Sequence, residues 1–390
     1  MHGHPPRHSS YDAVIVGARV AGAATALLLA RHGLRVLVLE RGRYGTDTLS
    51  THALMRGGVL QLHRWGVLNA ITAAGTPPIR ETSFHYADEV VTIPIKPRDG
   101  VDALYAPRRD VLDAILVDAA GAAGAEVVHN ARLVDVLHGR GRAVAGAVIE
   151  TRAGRHDIAA RVVIGADGAT STLATLVGAG MYRQARHASG VIYAYWTGAP
   201  VDGYHWYYRP GLSAGAIPTN DGRTCIFTAM PSSRFLEEVR FDLAGSYARG
   251  LAEVAPDLAA ALEGAEPVGS YRGFPGRPSF LRQSWGNGWA LVGDAGYFKD
   301  PITAHGITDA LRDAELVAGA VADGSDEALA AYQATRDALS TGLLETTDAI
   351  AGYDWTLSDV QALHRRLSEE MAREVAHLLL MRDAEPVLAG

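Results

Sequence analysis

Two glycines and one acid near the start of the chain have the spacing of a site for a dinucleotide phosphate. The segment Gly17–Gly22, GARVAG, follows the apolar stretch YDAVIV and precedes the helix-like AATALLLAR. Gly17 would make the turn from strand to helix and Gly22 would let the helix pack closely, so that free N–H groups point at a pyrophosphate. Glu40 ends the next apolar stretch, where a carboxylate can bind ribose hydroxyls. Arg19 replaces the usual middle glycine, and the motif alone does not distinguish NAD from FAD.

Two later motifs also place chemistry-bearing residues directly after apolar strands. Asp167-Gly168 occurs in RVVIGADGATS, and Gly293-Asp294 occurs in WALVGDAGYFKDPITAHGITDAL. In order and spacing, the three motifs resemble those of the FAD-dependent monooxygenases of the para-hydroxybenzoate hydroxylase type, the class A flavin hydroxylases. The resemblance covers most of residues 11–325, and it implies FAD as the cofactor.

The resemblance also implies which residues would contact FAD. The Gly17–Gly22 segment would hold the pyrophosphate, Glu40 the adenosine ribose, and the backbone of Leu133 the adenine. Arg109, in R-x-x-L, matches the family arginine near the phosphates; the alternative is a surface charge in a first helical turn, which the helix dipole disfavours. The implied cofactor-binding residues are Gly17, Ala18, Val20, Ala21, Gly22, Glu40, Arg41, Arg109, Leu133, Asp167, Gly168, Gly293, Asp294, Pro301, Gly306 and Ile307.

At the flavin end, Asp294 would bind the ribityl hydroxyls, while Pro301, Gly306 and Ile307 would lie along the isoalloxazine. A helix beginning near Gly306 would aim its N–H groups at the flavin N1–C2 carbonyl edge, where they would stabilise the negative charge of reduced flavin.

The activity that the resemblance implies is monooxygenation of an aromatic, polyketide-like or other hydrophobic small molecule. NAD(P)H would reduce the flavin, O2 would add at C4a, and the hydroperoxide would transfer one oxygen atom to the substrate. The usual arginine downstream of the Asp-Gly motif is Ala174, and no second G-x-G-x-x-G follows a strand. Reduction by transiently bound NAD(P)H and reduction by a separate flavin reductase therefore both remain open.

Other functions remain as alternatives. A geranylgeranyl-reductase-like saturase has a similar FAD domain. A halogenase is disfavoured because W-x-W-x-I-P is absent. A non-catalytic flavin-binding protein is the alternative outside the enzymes.

Two histidines and one lysine flank the segments expected near the flavin. His52 and His305 are candidate proton donors or acceptors because imidazole titrates near neutrality, although we expect hydrogen-bonded structural roles for both. His305 is also a remote candidate for a covalent flavin link. Lys299 is expected to be a solvated loop charge. No ligand spacing predicts a metal site.

Aromatic residues dominate the segments between about 187 and 230. They alternate on predicted strands, so one face should be core and the other should line an apolar substrate cavity. The candidate pocket residues are Tyr193, Tyr195, Trp206 and Tyr208.

These motifs require an α/β fold: a Rossmann-like FAD-binding domain with an inserted antiparallel β-sheet substrate domain and a helical C-terminus. We assign 1–10 to a flexible tail, and 11–80, 100–180 and 275–325 to the FAD-binding domain. The substrate domain comprises 81–99 and 181–274, and the C-terminal helical region comprises 326–390. An apolar stripe in that last region would pack on its own core or on another subunit, in a monomer or a homodimer.

Composition excludes several classes of function. The 390 residues carry a net charge of −7, spread along the chain, which argues against a nucleic-acid or anionic-membrane surface. Cys225 is the only cysteine, so no internal disulfide can form. The polar start and the lack of a long apolar run predict neither a signal peptide nor a membrane span, and so a cytoplasmic protein.

Overall fold

The computed structural model describes residues 5–239 and 241–382. Its strands are, in chain order, β1 (Ser10–Val16), β2 (Val36–Glu40), β3 (Glu81–Tyr86), β4 (Glu89–Pro94), β5 (Glu126–His129), β6 (Arg132–His138), β7 (Val144–Thr151), β8 (Gly154–Gly165), β9 (Met181–Gln184), β10 (Ser189–Thr197), β11 (Tyr204–Arg209), β12 (Leu212–Pro218), β13 (Arg223–Pro231), β14 (Val268–Phe274), β15 (Phe280–Arg282), β16 (Trp285–Gly286), β17 (Trp289–Leu291) and β18 (Tyr297–Phe298). Its helices are α1 (Val20–Arg31), α2 (Arg56–Arg64), α3 (Leu68–Ala73), α4 (Arg109–Ala122), α5 (Thr172–Leu176), α6 (Ser232–Glu238), α7 (Leu243–Val254), α8 (Pro256–Ala261), α9 (Gly306–Asp323), α10 (Asp326–Ala351) and α11 (Leu357–Arg382).

The first sheet is built on parallel strands in the order β17-β8-β1-β2-β5, with β16 antiparallel to β17 and the β6–β7 pair antiparallel on β8. The apolar runs of β1 and β2 are explained by cover on both faces. Ala13 and Ile15 face a core that includes residues of α1, α4 and α9, whereas Val14 and Val16 face a second core with β6, β7 and α5.

The second sheet has the order β14-β10-β13-β12-β11-β3-β4 and is antiparallel except between β11 and β3. Alternate residues of β10 again separate two cores. Ile192 and Trp196 pack with residues of α7, while Val191, Tyr193 and Tyr195 face the core shared with the first sheet's helices. Both faces of β10 are therefore buried.

The C-terminal helices cover the half of the molecule that is built on the first sheet. The motifs predict that this half binds the nucleotide, and it is therefore called the nucleotide-binding half. Helix α10 packs on α9, and α11 packs on α10 and α2. Leu367, Val375 and Leu378 of α11 are buried, so the apolar stripe of this helix lies against its own chain. None of the described helices has the length and apolar character needed to cross a membrane.

The N-terminal segment is anchored earlier than we predicted. Residues 1–4 of the predicted tail lie outside the described residues. The Arg7 backbone N–H donates to Glu126 at 2.9 Å, the Ala159 N–H donates to the Ser9 carbonyl at 2.9 Å, and Ser10 begins β1. The prediction of a free tail through residue 10 is therefore wrong for residues 7–10.

The NDG turn at 220–222 joins the second sheet to the nucleotide-binding half. Asn220 is buried; its amide donates to the Ala74 carbonyl and to the Thr76 hydroxyl, each at 3.0 Å, and its carbonyl oxygen accepts from the Arg108 N–H at 2.9 Å. One side chain therefore satisfies three polar groups from two segments.

We expect Asn220→Ala to lower the free energy of unfolding by about 2–3 kcal/mol, because buried polar groups that lose their partners are costly. Asp221→Asn, at the exposed neighbouring position, is the matched control and should change it by about 0.5 kcal/mol or less. Denaturant titration of both variants makes the comparison. Equal losses would contradict this role for Asn220.

Candidate cofactor and substrate site

A cavity of about 490 Å³ lies at the carboxyl ends of β1, β2 and β8, where open parallel sheets bind their ligands. It extends from these strand ends to the second sheet, since Val191 and Tyr193 of β10 and Phe274 of β14 also line it. All of the predicted cofactor-binding residues except Ala18, Gly22 and Gly293 line this cavity. The motifs that are distant in sequence thus meet in one place.

The turn between β1 and α1 is closely packed. Gly17 has φ of +104°, and a Cβ at this position would lie 2.5 Å from the Ala166 carbonyl oxygen. A Cβ at Gly22 would lie 1.8 Å from the Gly17 carbonyl oxygen, so this glycine serves helix packing rather than the cavity wall. No side chain caps the N-terminus of α1, and its first residues, Val20 and Ala21, line the cavity. The free N–H groups there can bind an anion.

Arg19 is held to one side of this turn by Asp113 on α4. The two side chains form an ion pair at 3.1 Å, and Asp113 also accepts hydrogen bonds from Arg109 at 3.0 and 3.1 Å. Arg109 therefore has a charge partner in the first turns of α4, which offsets its unfavourable interaction with the helix dipole.

The two acids of the predicted nucleotide site are bound to nearby backbone. Glu40 accepts hydrogen bonds from the Ala18 N–H at 2.9 Å and from the Gly42 N–H at 2.7 Å, and so fixes the phosphate loop to the end of β2. Asp167 accepts from the Thr172 N–H at 2.6 Å and from the Ser171 hydroxyl at 2.5 Å at the start of α5. Both carboxylates line the cavity and retain further acceptor capacity.

Asp294 is the acid with the most perturbed environment in the cavity wall. Burial raises the pKa of its carboxyl group to about 7, against the lowering effect of Arg109; the carboxylates of Asp309 and Asp313 raise it further. Near neutrality both protonation states are populated, so this group can donate or accept a hydrogen bond. The preceding Gly293 lies behind it, where a Cβ would be 2.8 Å from the Ala21 Cβ.

The loop 46–53 forms a wall of the cavity that sequence analysis missed, apart from His52. It has no regular structure, and Asp47 anchors it through ion pairs to Arg108 at 3.3 Å and to Arg272 at 3.2 Å. The Ser50 N–H donates to the Tyr193 hydroxyl at 3.3 Å. These polar residues belong to no recognised motif, so nothing in the sequence indicated that they line a cavity. The lining residues that were not predicted as functional are Val16, Arg19, Leu39, Thr48, Leu49, Ser50, Thr51, Ala53, Ala131, Arg132, Ala166, Thr170, Thr172, Val191, Phe274, Phe298, Lys299, Ala304 and Ala310.

His52 lines the cavity but does not titrate near neutrality. Burial lowers the pKa of its imidazole to about 3, and its Nε2 lies 3.1 Å from the Tyr195 hydroxyl. Its φ of +47° is unusual for a non-glycine residue, so the surrounding contacts must hold it in place. His52 is thus a neutral hydrogen-bonding group at pH 7.

His305 lies outside the cavity wall, at the start of α9. Its Nδ1 is 3.2 Å from Asp309 and its Nε2 is 3.0 Å from Glu374. These three residues could hold a metal ion by geometry. However, Asp309 already pairs with Lys299 and Arg312, and Glu374 pairs with Arg312, so cationic side chains occupy the carboxylates.

The structure places one residue of the predicted aromatic pocket in the cavity wall and three away from it. Of its four residues, Tyr193 lines the cavity. Tyr195 lies behind it with Arg108 stacked 5.0 Å from its ring centre, Trp206 donates to the Thr82 hydroxyl at 2.9 Å, and Tyr208 packs on His364. These three rings belong to the core because the sheet face that bears them is covered by helices.

Lys299 also departs from expectation. It is not a solvated loop charge: its side chain is 1% exposed, its ammonium group lies 2.8 Å from Asp309, and it lines the cavity beside Pro301 and Gly306.

Comparison with known proteins agrees with this geometry. The family model described as "FAD binding domain" matches residues 10–347. The digeranylgeranylglycerophospholipid reductase 1 of Methanococcoides burtonii is 26% identical over 327 residues, which cover 80% of this chain and 74% of the reductase. Relatives with identities of 33–36% are matched over only 39–41% of their own length.

Solved structures show the same fold. The flavin-dependent brominase Bmp2 superposes with a TM-score of 0.80 at 20% identity, over 94% of this chain and 93% of the brominase. PqsL, a probable FAD-dependent monooxygenase from Pseudomonas aeruginosa, gives 0.77 at 22% identity, over 93% of this chain and all of that one. The chain therefore belongs to the FAD-binding-domain family, and it has the fold that the flavin-dependent brominase Bmp2 and PqsL share.

Proposed function

We propose that this protein is an FAD-dependent monooxygenase that inserts one oxygen atom into an aromatic, polyketide-like or similar hydrophobic small molecule. The observation that carries the proposal is the form of the cavity. A phosphate-binding turn at the strand ends continues into a recess walled by Val191, Tyr193, Phe274 and Phe298. A planar apolar substrate would fit beside the flavin in that recess.

The residues present fit FAD. The Gly17 turn leaves no room for a side chain on its inner side, and the N-terminus of α1 offers uncapped N–H groups to the pyrophosphate. Glu40 and Arg41 would hold the adenosine ribose, and Leu133 the adenine. Asp294 would bind the ribityl hydroxyls, with Pro301, Gly306 and Ile307 along the isoalloxazine. The bound flavin would supply the oxygen-activating chemistry.

The chain's own residues would orient the substrate and exclude water. The apolar walls of the recess remove water that would divert the reaction into peroxide release. Ser50 donates to the Tyr193 hydroxyl oxygen, so the Tyr193 hydroxyl hydrogen is free to meet a polar group on the substrate. His52 and Tyr195 brace the loop 46–53 behind this contact.

The residue that replaces the usual arginine bears on which molecule supplies the electrons that reduce the flavin. Ala174, in place of the usual arginine, is buried in α5 and offers no charge to a nicotinamide cofactor. We therefore propose that NAD(P)H binds transiently or that a separate reductase supplies the electrons. NAD(P)H oxidation by the purified protein alone distinguishes the two.

Double-bond reduction is the second candidate. The Methanococcoides burtonii protein that matches most of this chain is a digeranylgeranylglycerophospholipid reductase. The apolar recess would also accept an isoprenoid chain. Such an enzyme would add two hydrogen atoms to its substrate and consume no O2.

The direct test is turnover by the purified protein. We expect yellow protein that contains FAD and that, with NAD(P)H and a hydrophobic aromatic substrate, consumes O2 and forms a product one oxygen atom heavier by mass spectrometry. Addition of bromide tests for halogenation. A product heavier by two hydrogens without O2 uptake would favour the reductase, and colourless protein unable to take up FAD would refute both.

The phosphate turn gives a matched pair of variants. Gly17→Val should weaken FAD binding at least about tenfold, because any Cβ there collides with Ala166. Arg19→Gly should change it by no more than about threefold, because the half-exposed Arg19–Asp113 pair contributes little and Asp113 keeps Arg109. Fluorescence titration of the FAD-free proteins measures both. Loss of FAD from Arg19→Gly would show that Arg19 contacts the cofactor.

Asp294 predicts a pH effect on the FAD-free protein. Its folded pKa of about 7 lies above the usual 3.8, so the folded state retains a proton that the unfolded state releases. Its contribution to stability is therefore lost as pH rises from about 4 to about 7. Asp294→Asn should remove this loss, whereas Asp221→Asn, at an exposed carboxylate, should not. Parallel pH dependence of wild type and Asp294→Asn in denaturant titrations would refute the assignment.

A further inference from the structure

Lys299 is one of only two lysines in a chain that carries 36 lysines and arginines in total. The other, Lys96, is exposed. A chain that uses arginine almost everywhere thus has its one buried lysine in the cavity wall, beside Pro301, Gly306 and Ile307. An ammonium group is a compact point charge, whereas a guanidinium group is a broad planar fork. The site accommodates the smaller cation.

Asp309 fixes the position of this ammonium group. Its Oδ2 lies 2.8 Å from the Lys299 Nζ, and its Oδ1 lies 3.2 Å from the His305 Nδ1 and 3.0 Å from Arg312. Three cationic groups thus converge on one buried carboxylate, and they hold the pKa of Asp309 far below its usual value despite burial.

Two further carboxylates, Glu374 and Asp313, bind the cationic groups that surround Asp309. The Glu374 carboxylate of α11 lies 3.0 Å from the His305 Nε2 and 2.8 Å from Arg312, and Arg312 also lies 2.7 Å from Asp313. Burial and Lys299 oppose a charge on His305, but Glu374 and Asp309 raise the pKa of its imidazole above the usual value. Burial lowers the pKa of the Lys299 ammonium group, while Asp309 and Glu374 oppose this lowering. With Lys299 and His305 both protonated, three cations balance three carboxylates.

The cluster presents its charges to the cavity unequally. Lys299 lines the cavity, whereas Asp309, His305, Arg312, Asp313 and Glu374 do not. Among the groups of this cluster, Lys299 thus belongs to the cavity wall, where its ammonium group is buried within the wall next to the N-terminus of α9. That helix end carries positive dipole charge of its own, at Gly306 and Ile307. The two effects have the same sign.

We propose that Lys299 is a buried cation in the wall of the cofactor cavity that stabilises the anionic reduced form of bound FAD, and that Asp309, His305 and Glu374 are positioning residues that hold it there. The inference rests on the proposed FAD site, though not on the fate of the substrate. Oxidised flavin accepts two electrons and one proton and thereby gains one negative charge. A fixed ammonium group nearby favours that state and raises the two-electron reduction potential.

The test is the reduction potential of bound FAD, measured without O2 by equilibration with a reference dye while dithionite supplies the electrons. Lys299→Met should lower the equilibrium constant for reduction at least tenfold, which is about 30 mV. Lys299→Arg keeps the charge on a broader group, so it should lower the equilibrium constant less than Lys299→Met does. Lys96→Met, the only other lysine-to-methionine change that the chain offers, should leave the potential unchanged.

Asp309→Asn should shift the reduction potential in the opposite direction. It removes the anion that offsets the ammonium group, so in mildly acidic buffer, where the cations stay protonated, the potential should rise. General loosening of the site would shift the Lys299→Met and Asp309→Asn variants in the same direction and would overturn the inference. If Lys299→Met does not fold, Lys299→Gln, which keeps a polar group of similar length, replaces it with the same expectation.

The outcomes separate this inference from the proposed function. A Lys299→Met protein that binds FAD fully and has the wild-type potential would refute this role of Lys299 and leave monooxygenation untouched. A wild-type protein that does not bind FAD would refute the proposed function itself.

Discussion

The close approach of three backbone segments at Gly17 organises the molecule. The Gly17 N–H donates to the Leu39 carbonyl at 2.7 Å, and the Ala166 N–H donates to the Val16 carbonyl at 2.8 Å. The ends of β1, β2 and β8 are thereby fixed side by side. With Gly22 against the Gly17 carbonyl, α1 is seated on the same point. A side chain at Gly17 would separate these segments, and the cavity at the strand ends depends on their contact.

The second sheet contributes to the site where one buried face of β10 reaches the cavity. Residues of β10 alternate between a core with α7 and a core shared with the nucleotide-binding half, and Tyr193 lies where the second core opens into the cavity. Tyr195, two residues further along the same face, is already packed behind the wall. Alternation therefore predicted correctly which residues share a face. It could not predict where along that face packing gives way to a cavity.

The cluster of buried ionisable groups around Lys299 lies next to the cofactor cavity, and its burial is energetically unfavourable. Burial of six ionisable groups is unfavourable unless each has a partner, and an apolar cluster of equal size would cost less. We infer that this cluster, with Lys299 at the cavity wall, serves a function in the site rather than stability. Burial raises the pKa of Asp294, and of the groups in the cluster Asp309 and Asp313 raise it further whereas Lys299 lowers it. The cluster and the cavity are therefore one electrostatic unit.

The sequence by itself determined the α/β class and the three motifs, because local periodicity and glycine spacing encode strands, turns and helix starts. That the motifs meet at one cofactor site was implied by the resemblance to the flavin hydroxylases. The sequence predicted α1 at Val20–Arg31. It also predicted those cofactor-binding residues between Gly17 and Ile307 that line the cavity, though not the remaining lining residues. Only the tertiary structure decided that Lys299 is buried, that His52 is neutral and that Trp206 and Tyr208 are core. Charge state and burial depend on residues distant in sequence, such as Glu374 of α11 near His305 of α9, and no local pattern records those contacts.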